Sequence, residues 1–324
     1  MLTSGSRPTE RLRPPAGGGP HGAAPAPRRF DARHRDRLIA ILVVSPSLLA
    51  VAVFVYLFVV WTGYASTIDW TTIFPDYTFV GLDNYREVVA DERFHTDLRN
   101  LVLFSVSFMA QCIVTGFVLA VLLNQRIKGE TFFRTIYILP FAVSLIVTGV
   151  AWHWLMQPTT GINLILQAIG LGSVQPSWYT STDWGILAVS TANAWQMSGY
   201  IMAIYLAGLR GIPQELVEAA RIDGCGSFAL YRRVIIPLLT PVTFTAVLLT
   251  GMVSVKTFDI LATMTGGGPG FATDMLGLFM YDLAFQSNLF ARSASVAVIM
   301  MLIAGLLLIP YVMSSRRRER MGLG

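Results

Sequence analysis

Six stretches of this chain carry no Asp, Glu, Lys or Arg at all: 38–68, 100–125, 135–182, 184–209, 234–255 and 293–315. An α-helix rises about 1.5 Å per residue, so about 20 apolar residues cross the hydrocarbon of a bilayer. Each stretch is long enough for one crossing, and the third leaves room for a loop as well. The charged share of the whole chain is 13%, about half that of a soluble domain. The expected fold is all-α: a polytopic membrane protein with six transmembrane helices, at about 38–63, 98–124, 135–157, 184–209, 235–262 and 293–313.

The basic residues set the orientation. With six crossings, nineteen of the 24 Lys and Arg fall on one side: before Leu38, in the turn at 125–135, in the loop 210–236 and from Arg316 onward. Cytoplasmic flanks carry such an excess. Both termini are therefore expected inside, with the chain in a bacterial or archaeal plasma membrane. The opposite side receives Arg86, Arg93, Arg99 and Arg292, with Lys256 at the end of a span. Seven acids crowd the first outer loop: Asp69, Asp76, Asp83, Glu87, Asp91, Glu92 and Asp97.

Residues 1–37 are rich in Pro, Gly, Ala and Arg without apolar periodicity, and are expected as a disordered cytoplasmic tail. The six-helix domain covers 38–316, and a basic tail covers 317–324. Arg28-Arg29-Phe30 before an apolar run is similar to a twin-arginine export signal. That run is longer than a cleavable apolar segment and lacks a convincing small-x-small site, so it reads as an uncleaved first span.

Several chemistries are excluded. The net charge of +5 does not point to nucleic acid, because the basic residues flank spans and tails instead of alternating with aromatics. Cys112 lies in a span and Cys225 in an inner loop, so no disulfide or metal spacing exists. Four scattered histidines (His21, His34, His95 and His153) supply no H-E-x-x-H cluster, and no metal or catalytic residues are expected. The chain has no G-x-x-x-x-G-K-[ST] run to wrap phosphates. It also lacks the matched broken helices of many secondary transporters.

The loop 210–236 is longer than a tether between two spans requires. Pro213 suits a first helical turn, and Glu215 and Glu218 favour its positive end. Leu216, Ala219, Ala220 and Asp223 share one face. Gly224 supplies a left-handed stop, and Ser227 is the expected N-cap of a second short helix leading to Pro237. The result is a helix–turn–helix finger.

Glu218-Ala219-Ala220, with Gly224 four residues on and Val234-Ile235-Ile236-Pro237 closing the loop, resembles the cytoplasmic loop of binding-protein-dependent ABC transporter permeases. Val234 and Ile236 replace the usual aliphatics of that motif conservatively. The resemblance runs over about 38–316. Phe79-Val80-Gly81-Leu82-Asp83-Asn84-Tyr85, Phe133-Arg134-Thr135 with Pro140, Trp195-Gln196, Lys256-Thr257-Phe258-Asp259 and the Thr265–Pro269 run look like the sugar-permease branch. Pro158-Thr159-Thr160-Gly161-Ile162-Asn163 and Phe279-Met280-Tyr281 look most like its glucose or glucoside subgroup.

The resemblance implies a type I ABC importer permease fold and a division of labour. A second, commonly non-identical permease would complete the pathway. Two copies of a cytoplasmic ATPase would bind the ATP, leaving this chain without a cofactor, and an extracytoplasmic sugar-binding protein would deliver substrate. Glu218, Ala219, Ala220, Arg221, Asp223, Gly224 and Pro237 would couple to the ATPase.

Polar residues within the spans are candidates for the substrate pathway. Lys256 and Asp259, three apart in the fifth span, are expected on one helix face. Asn193, Trp195, Gln196 and Tyr200 form a polar and aromatic cluster in the fourth span, suited to hydrogen bonding and stacking against a sugar. The competing role for that cluster is bonding between helices. Trp152, His153 and Trp154 read as an interface belt. The orientation itself is testable: a membrane-impermeant thiol reagent is expected to label Cys225 only from the cytoplasmic side, and labelling from outside overturns it.

Overall fold

In the computed structural model, residues 30–125, 128–173 and 176–320 are described, with side chains from Ile41 to Ile309 apart from the two short gaps. Most of the expected N-terminal tail and the last four residues lie outside them. Contacts divide the chain into two units, Met1–Leu57 and Phe58–Gly324. In the first, α1 (Phe30–Val51) leads into a π-helical turn, Ala52–Leu57. Residues 30–37, expected as disordered, are thus the opening turns of a helix.

The second unit begins with α2 (Phe58–Ala65) and α3 (Asp83–Ala90). The 33-residue α4 (Glu92–Asn124) follows. It is about 50 Å long and starts earlier than the expected span, because the Asp91 carboxylate accepts the Arg93 N–H at 2.9 Å and caps it. Next come α5 (Glu130–Ile138), α6 (Leu145–Leu155), α7 (Ile162–Ala168) and α8 (Gly185–Arg210). The chain continues through α9 (Gln214–Ile222), α10 (Ser227–Leu230), α11 (Ile236–Leu238), α12 (Thr240–Val255) and α13 (Asp259–Met264). It ends with α14 (Leu276–Tyr281) and α15 (Phe290–Arg320).

Three segments are long and apolar enough to cross a membrane: Ile41–Ala65, Glu92–Asn124 and Phe290–Ile309. Two bent helix pairs pass the same test only when each pair is taken together. Glu130–Ala142 turns by 98° into Leu145–Leu155, and Ser227–Leu238 turns by 65° into Thr240–Val255. Length and apolarity therefore give up to five crossings among the described residues, against the six expected. The remaining candidate, α8, is long enough at about 39 Å but carries too many polar residues to qualify.

The position of α8 explains its polarity. It packs against α4 over most of its length and buries most of its side chains. Lipid tails are as apolar as leucine, so helices in a membrane associate through close backbone approach and hydrogen bonds. Both devices appear. A Cβ on Gly116 of α4 would meet the Ile201 side chain of α8 at 2.7 Å. Ser107 bonds Ser190 at 2.9 Å and Thr115 bonds Ser198 at 2.8 Å. The Gln111 amide donates to both Ser107 and Ser190, at 2.8 and 3.2 Å.

The bend between α5 and α6 is built around Pro140 and an extended Val143-Ser144. Its inner edge rests on α8. A Cβ at Gly199 would lie only 1.7 Å from the Tyr137 carbonyl oxygen. A Gly199→Ala substitution is expected to overpack this seam and cost about 1–3 kcal/mol, read as a lower unfolding temperature in detergent. Gly305→Ala, at a helical site where a Cβ meets nothing within 4 Å, serves as the control and should not destabilise.

Candidate functional site

The loop after α8 forms the expected finger. Its first helix, α9, ends in a Schellman motif: the Cys225 N–H donates to the Ala220 carbonyl and the Gly224 N–H to that of Arg221, each at 3.0 Å. Gly224 has φ +81°, and a Cβ there would meet nothing within 4 Å. The requirement for glycine is conformational, not steric. Ser227, expected as the next N-cap, is instead the first helical residue. Gly226 takes the cap position in extended backbone, and its carbonyl accepts the Leu230 N–H at 2.9 Å.

The alanines of the motif divide between two faces. Ala220 is buried with Val217 and Leu230 against the helix ends, whereas Ala219 is exposed with Glu218, Arg221, Asp223 and Gly224. Glu218 and Arg221 line a groove of about 850 Å³ between the finger and the ends of α4, α5 and α8. At the groove wall, Glu130 accepts from Arg210 at 2.6 Å and from Arg134 at 2.5 Å, tying α8 to α5. Among the described residues, Glu218, Arg221 and Asp223 form no ion pair within the chain. The sequence reading missed two bare apolar side chains on the finger, Ile222 and Phe228, which are 87% and 78% exposed.

Beyond α10, a π-helical turn at Tyr231–Ile235 carries the chain into α11, where Pro237 sits two residues before Leu239, at which the chain bends by 65°. Proline removes a backbone donor, and π turns recur at functional sites.

Asn193, Trp195, Gln196 and Tyr200 lie around the middle of α8, about 15–25 Å from its finger end at 1.5 Å per residue. They do not share one environment. The buried Gln196 amide donates to the Val143 carbonyl at 2.5 Å, satisfying a backbone group freed by the bend. Tyr200 stacks on Phe141 at 4.7 Å, on the same bend. Trp195 is exposed and meets Trp152 edge-on at 5.9 Å. Asn193 is buried, and its amide nitrogen has no partner.

The pairing expected for Lys256 and Asp259 does not form on one helix. α12 stops at Val255, Phe258 takes a non-helical φ of −134°, and Asp259 opens α13. No salt bridge joins the two among the described residues. His153 is not a lipid-facing anchor either. Its Nδ1 lies 2.6 Å from the Met264 carbonyl, which makes that nitrogen the N–H donor, and its ring lies 4.9 Å from Tyr179.

Comparison with known proteins places this architecture. The family model for the inner membrane component of binding-protein-dependent transport systems matches residues 112–319. A probable ABC transporter permease of Pyrococcus horikoshii is 39% identical over 89% of this chain and 99% of its own length. The chain belongs to this permease family. A xylose/arabinose import permease of Haloferax volcanii is 33% identical over 78% of the chain and 80% of that protein. A bacterial alginate ABC transporter, solved with an alginate-pentasaccharide-bound periplasmic protein, shares the fold at TM-score 0.72 and 19% identity, covering 91% of this chain and 98% of that one.

At the end of the permease remote from the finger, Arg93 organises a cluster that the sequence reading overlooked. Its Nε donates to Asp274 at 2.7 Å and its Nη2 to Asp282 at 2.6 Å. The guanidinium lies 4.5 Å from the Phe271 ring centre and 5.0 Å from that of Phe279. Asn100 donates to the carbonyls of Phe271 and Asp274, each at 3.0 Å. These contacts fasten the glycine-rich loop, where Gly266, Gly267 and Gly270 all have positive φ, onto α4. Burial raises the Asp274 carboxyl above its ordinary range, and the Arg93 charge opposes that. An Arg93→Met variant leaves Asp274 buried without its counter-ion and is expected to cost about 3–5 kcal/mol. Adding Asp274→Asn should recover part of the lost unfolding temperature.

Proposed function

We propose that this permease forms half of the membrane pathway of an ATP-driven importer for a carbohydrate, namely glucose, a glucoside or a related mono- or oligosaccharide. The other half is a second, non-identical permease. Two copies of a cytoplasmic ATPase dock on the fingers, and an extracytoplasmic binding protein delivers the sugar. In this arrangement both chain termini and the finger lie in the cytoplasm, where most of the Lys and Arg fall.

The finger carries the reading. It is a locally locked element whose charges, Glu218, Arg221 and Asp223, form no ion pair among the described residues, and whose apolar residues Ile222 and Phe228 stand bare. An exposed apolar pair rimmed by unpaired charge has the composition of a protein interface. The finger follows α8 after a turn at 211–213, and the Arg210–Glu130–Arg134 brace ties that end of α8 to α5. Displacement of the finger by a closing ATPase pair therefore reaches the middle of α8 through one continuous helix.

The carbohydrate assignment rests on the sugar-permease motifs and on relatives whose named substrates are pentoses and a polysaccharide. Along the pathway Trp195 offers an exposed ring for stacking, with Tyr200 and the unpartnered Asn193 amide elsewhere on the same helix. Gln196 acts by holding the bend. Lys256 and Asp259, exposed at the break between α12 and α13, sit at the far end of the route.

Gly224→Val is expected to uncouple transport, because φ > 0 costs a branched residue about 1–2 kcal/mol or more. Uptake of labelled sugar should collapse in vesicles while the assembled complex and its membrane content persist. Wild-type uptake by that variant overturns the coupling role, and a screen of labelled sugars in a deletion strain tests the substrate class.

A further inference from the structure

Between α2 and α3 the chain makes a small hairpin that the transport reading has not used. Ile68 pairs with Phe79 in an antiparallel bridge, with Asp69 N–H to the Thr78 carbonyl and Val80 N–H to that of Thr67, both 2.9 Å. The base is bolted down. The buried Asn84 amide donates to the carbonyls of Ser66 and Ile68 at 3.0 and 2.9 Å. The Ala291 N–H donates to the Trp70 carbonyl at 3.1 Å, and the Trp70 and Phe290 rings lie 5.2 Å apart.

The tip is held by its own polar groups. Asp76 accepts the Thr78 hydroxyl at 2.7 Å and its N–H at 3.0 Å, which keeps this carboxyl below its ordinary range. Asp69 accepts from Thr71 at 3.2 Å, and the Thr72 hydroxyl donates to the Phe74 carbonyl at 2.8 Å. What the tip presents outward is apolar: Ile73 is 72% exposed, Phe74 81% and Tyr77 59%. A pre-ordered loop that shows three large apolar side chains has already met the ordering cost of binding.

Two surfaces could cover this tip, and its charges choose between them. No Lys or Arg occurs from Thr62 to Tyr85, whereas Asp69, Asp76 and Asp83 all lie there. Segments that seat themselves in lipid headgroups carry Lys or Arg beside their aromatics. Asp83 is paired with Arg86 at 2.8 Å, which leaves Asp69 and Asp76 to face lipid phosphates, with no ion pair of their own among the described residues. Apolar residues at a centre with charge around the rim is instead the pattern of a protein–protein contact, and acids in the rim call for bases opposite.

We propose that the tip of this hairpin, Ile73, Phe74 and Tyr77, is a docking knob for the extracytoplasmic binding protein, fitting an apolar recess edged by basic residues. The proposal rests on the importer reading above and specifies where its delivery partner sits. In the assembled transporter in proteoliposomes, Phe74→Asp is expected to raise about tenfold the binding-protein concentration that half-maximally stimulates ATP hydrolysis, the scale of losing one interface anchor. Hydrolysis without binding protein should stay at the native rate, which shows that the complex is intact. A Phe74→Cys variant should react with an external thiol reagent and be protected when binding protein is added.

An unchanged half-maximal concentration or a lack of protection overturns the knob. So does quenching of a Phe74→Trp variant by brominated lipid, which assigns the tip to the membrane. If no binding protein stimulates even the native complex, the importer reading falls and the knob with it. That result is distinct from a native response that Phe74→Asp leaves untouched.

Discussion

Close contact between α8 and its neighbours is the interaction on which the rest of the molecule depends. Within lipid the hydrophobic effect does not drive helices together, so association must come from backbone proximity and hydrogen bonds. Gly116 and Gly199 supply the proximity, one against Ile201 and the other against the Tyr137 carbonyl. Ser107, Gln111, Thr115, Ser190 and Ser198 supply the bonds. Once α8 is fixed, Gln196 can satisfy the Val143 carbonyl, and the sharp bend between α5 and α6 becomes tolerable inside a membrane, where every peptide group needs a partner.

The two ends of the bundle are secured by charge. At the finger end, Glu130 gathers Arg210 and Arg134. At the other end, Arg93 gathers Asp274 and Asp282, and Arg292 pairs with Glu87. Apart from Arg134–Glu130, which lies within α5, these ion pairs join segments far apart in the chain, where the spans give way to loops. The middle of the bundle is left to hydroxyls, amides and small residues, which can slide past one another at lower cost than paired charges can separate.

Much of this was legible in the sequence, and the remainder was hidden for identifiable reasons. Charge-free stretches located three long apolar helices and two bent pairs, because lipid excludes charge wherever it touches the chain. α8 is the exception in apolarity: Asn193, Gln196, Ser190 and Ser198 are turned to protein, and composition alone cannot distinguish that from a weak span. The finger and its Gly224 stop were readable because a Schellman cap is a local device. The bends were not fully readable, since Pro140 and Pro237 mark where a helix can break but not by how much. Lys256 and Asp259 misled because a three-residue spacing implies one face only if the helix continues. Two of the motifs that look like the sugar-permease branch serve structure in the loops between helices. Asn84 clamps the hairpin base, and Asn163 holds the carbonyls of Pro158 and Pro176 while accepting from Trp178. Their presence reports a shared scaffold and is silent on the sugar.

The Schellman cap at Gly224 has a mechanical consequence. Its hydrogen bonds close within six residues, Ala220 to Cys225, so the angle between α9 and α10 is set by the backbone of the finger itself and not by whatever lies above or below. A part shaped that way keeps its form while its surroundings change. It passes on a push undiminished, and any bending must be taken up elsewhere, at the π turn and Pro237 where the ladder of helical bonds is already interrupted.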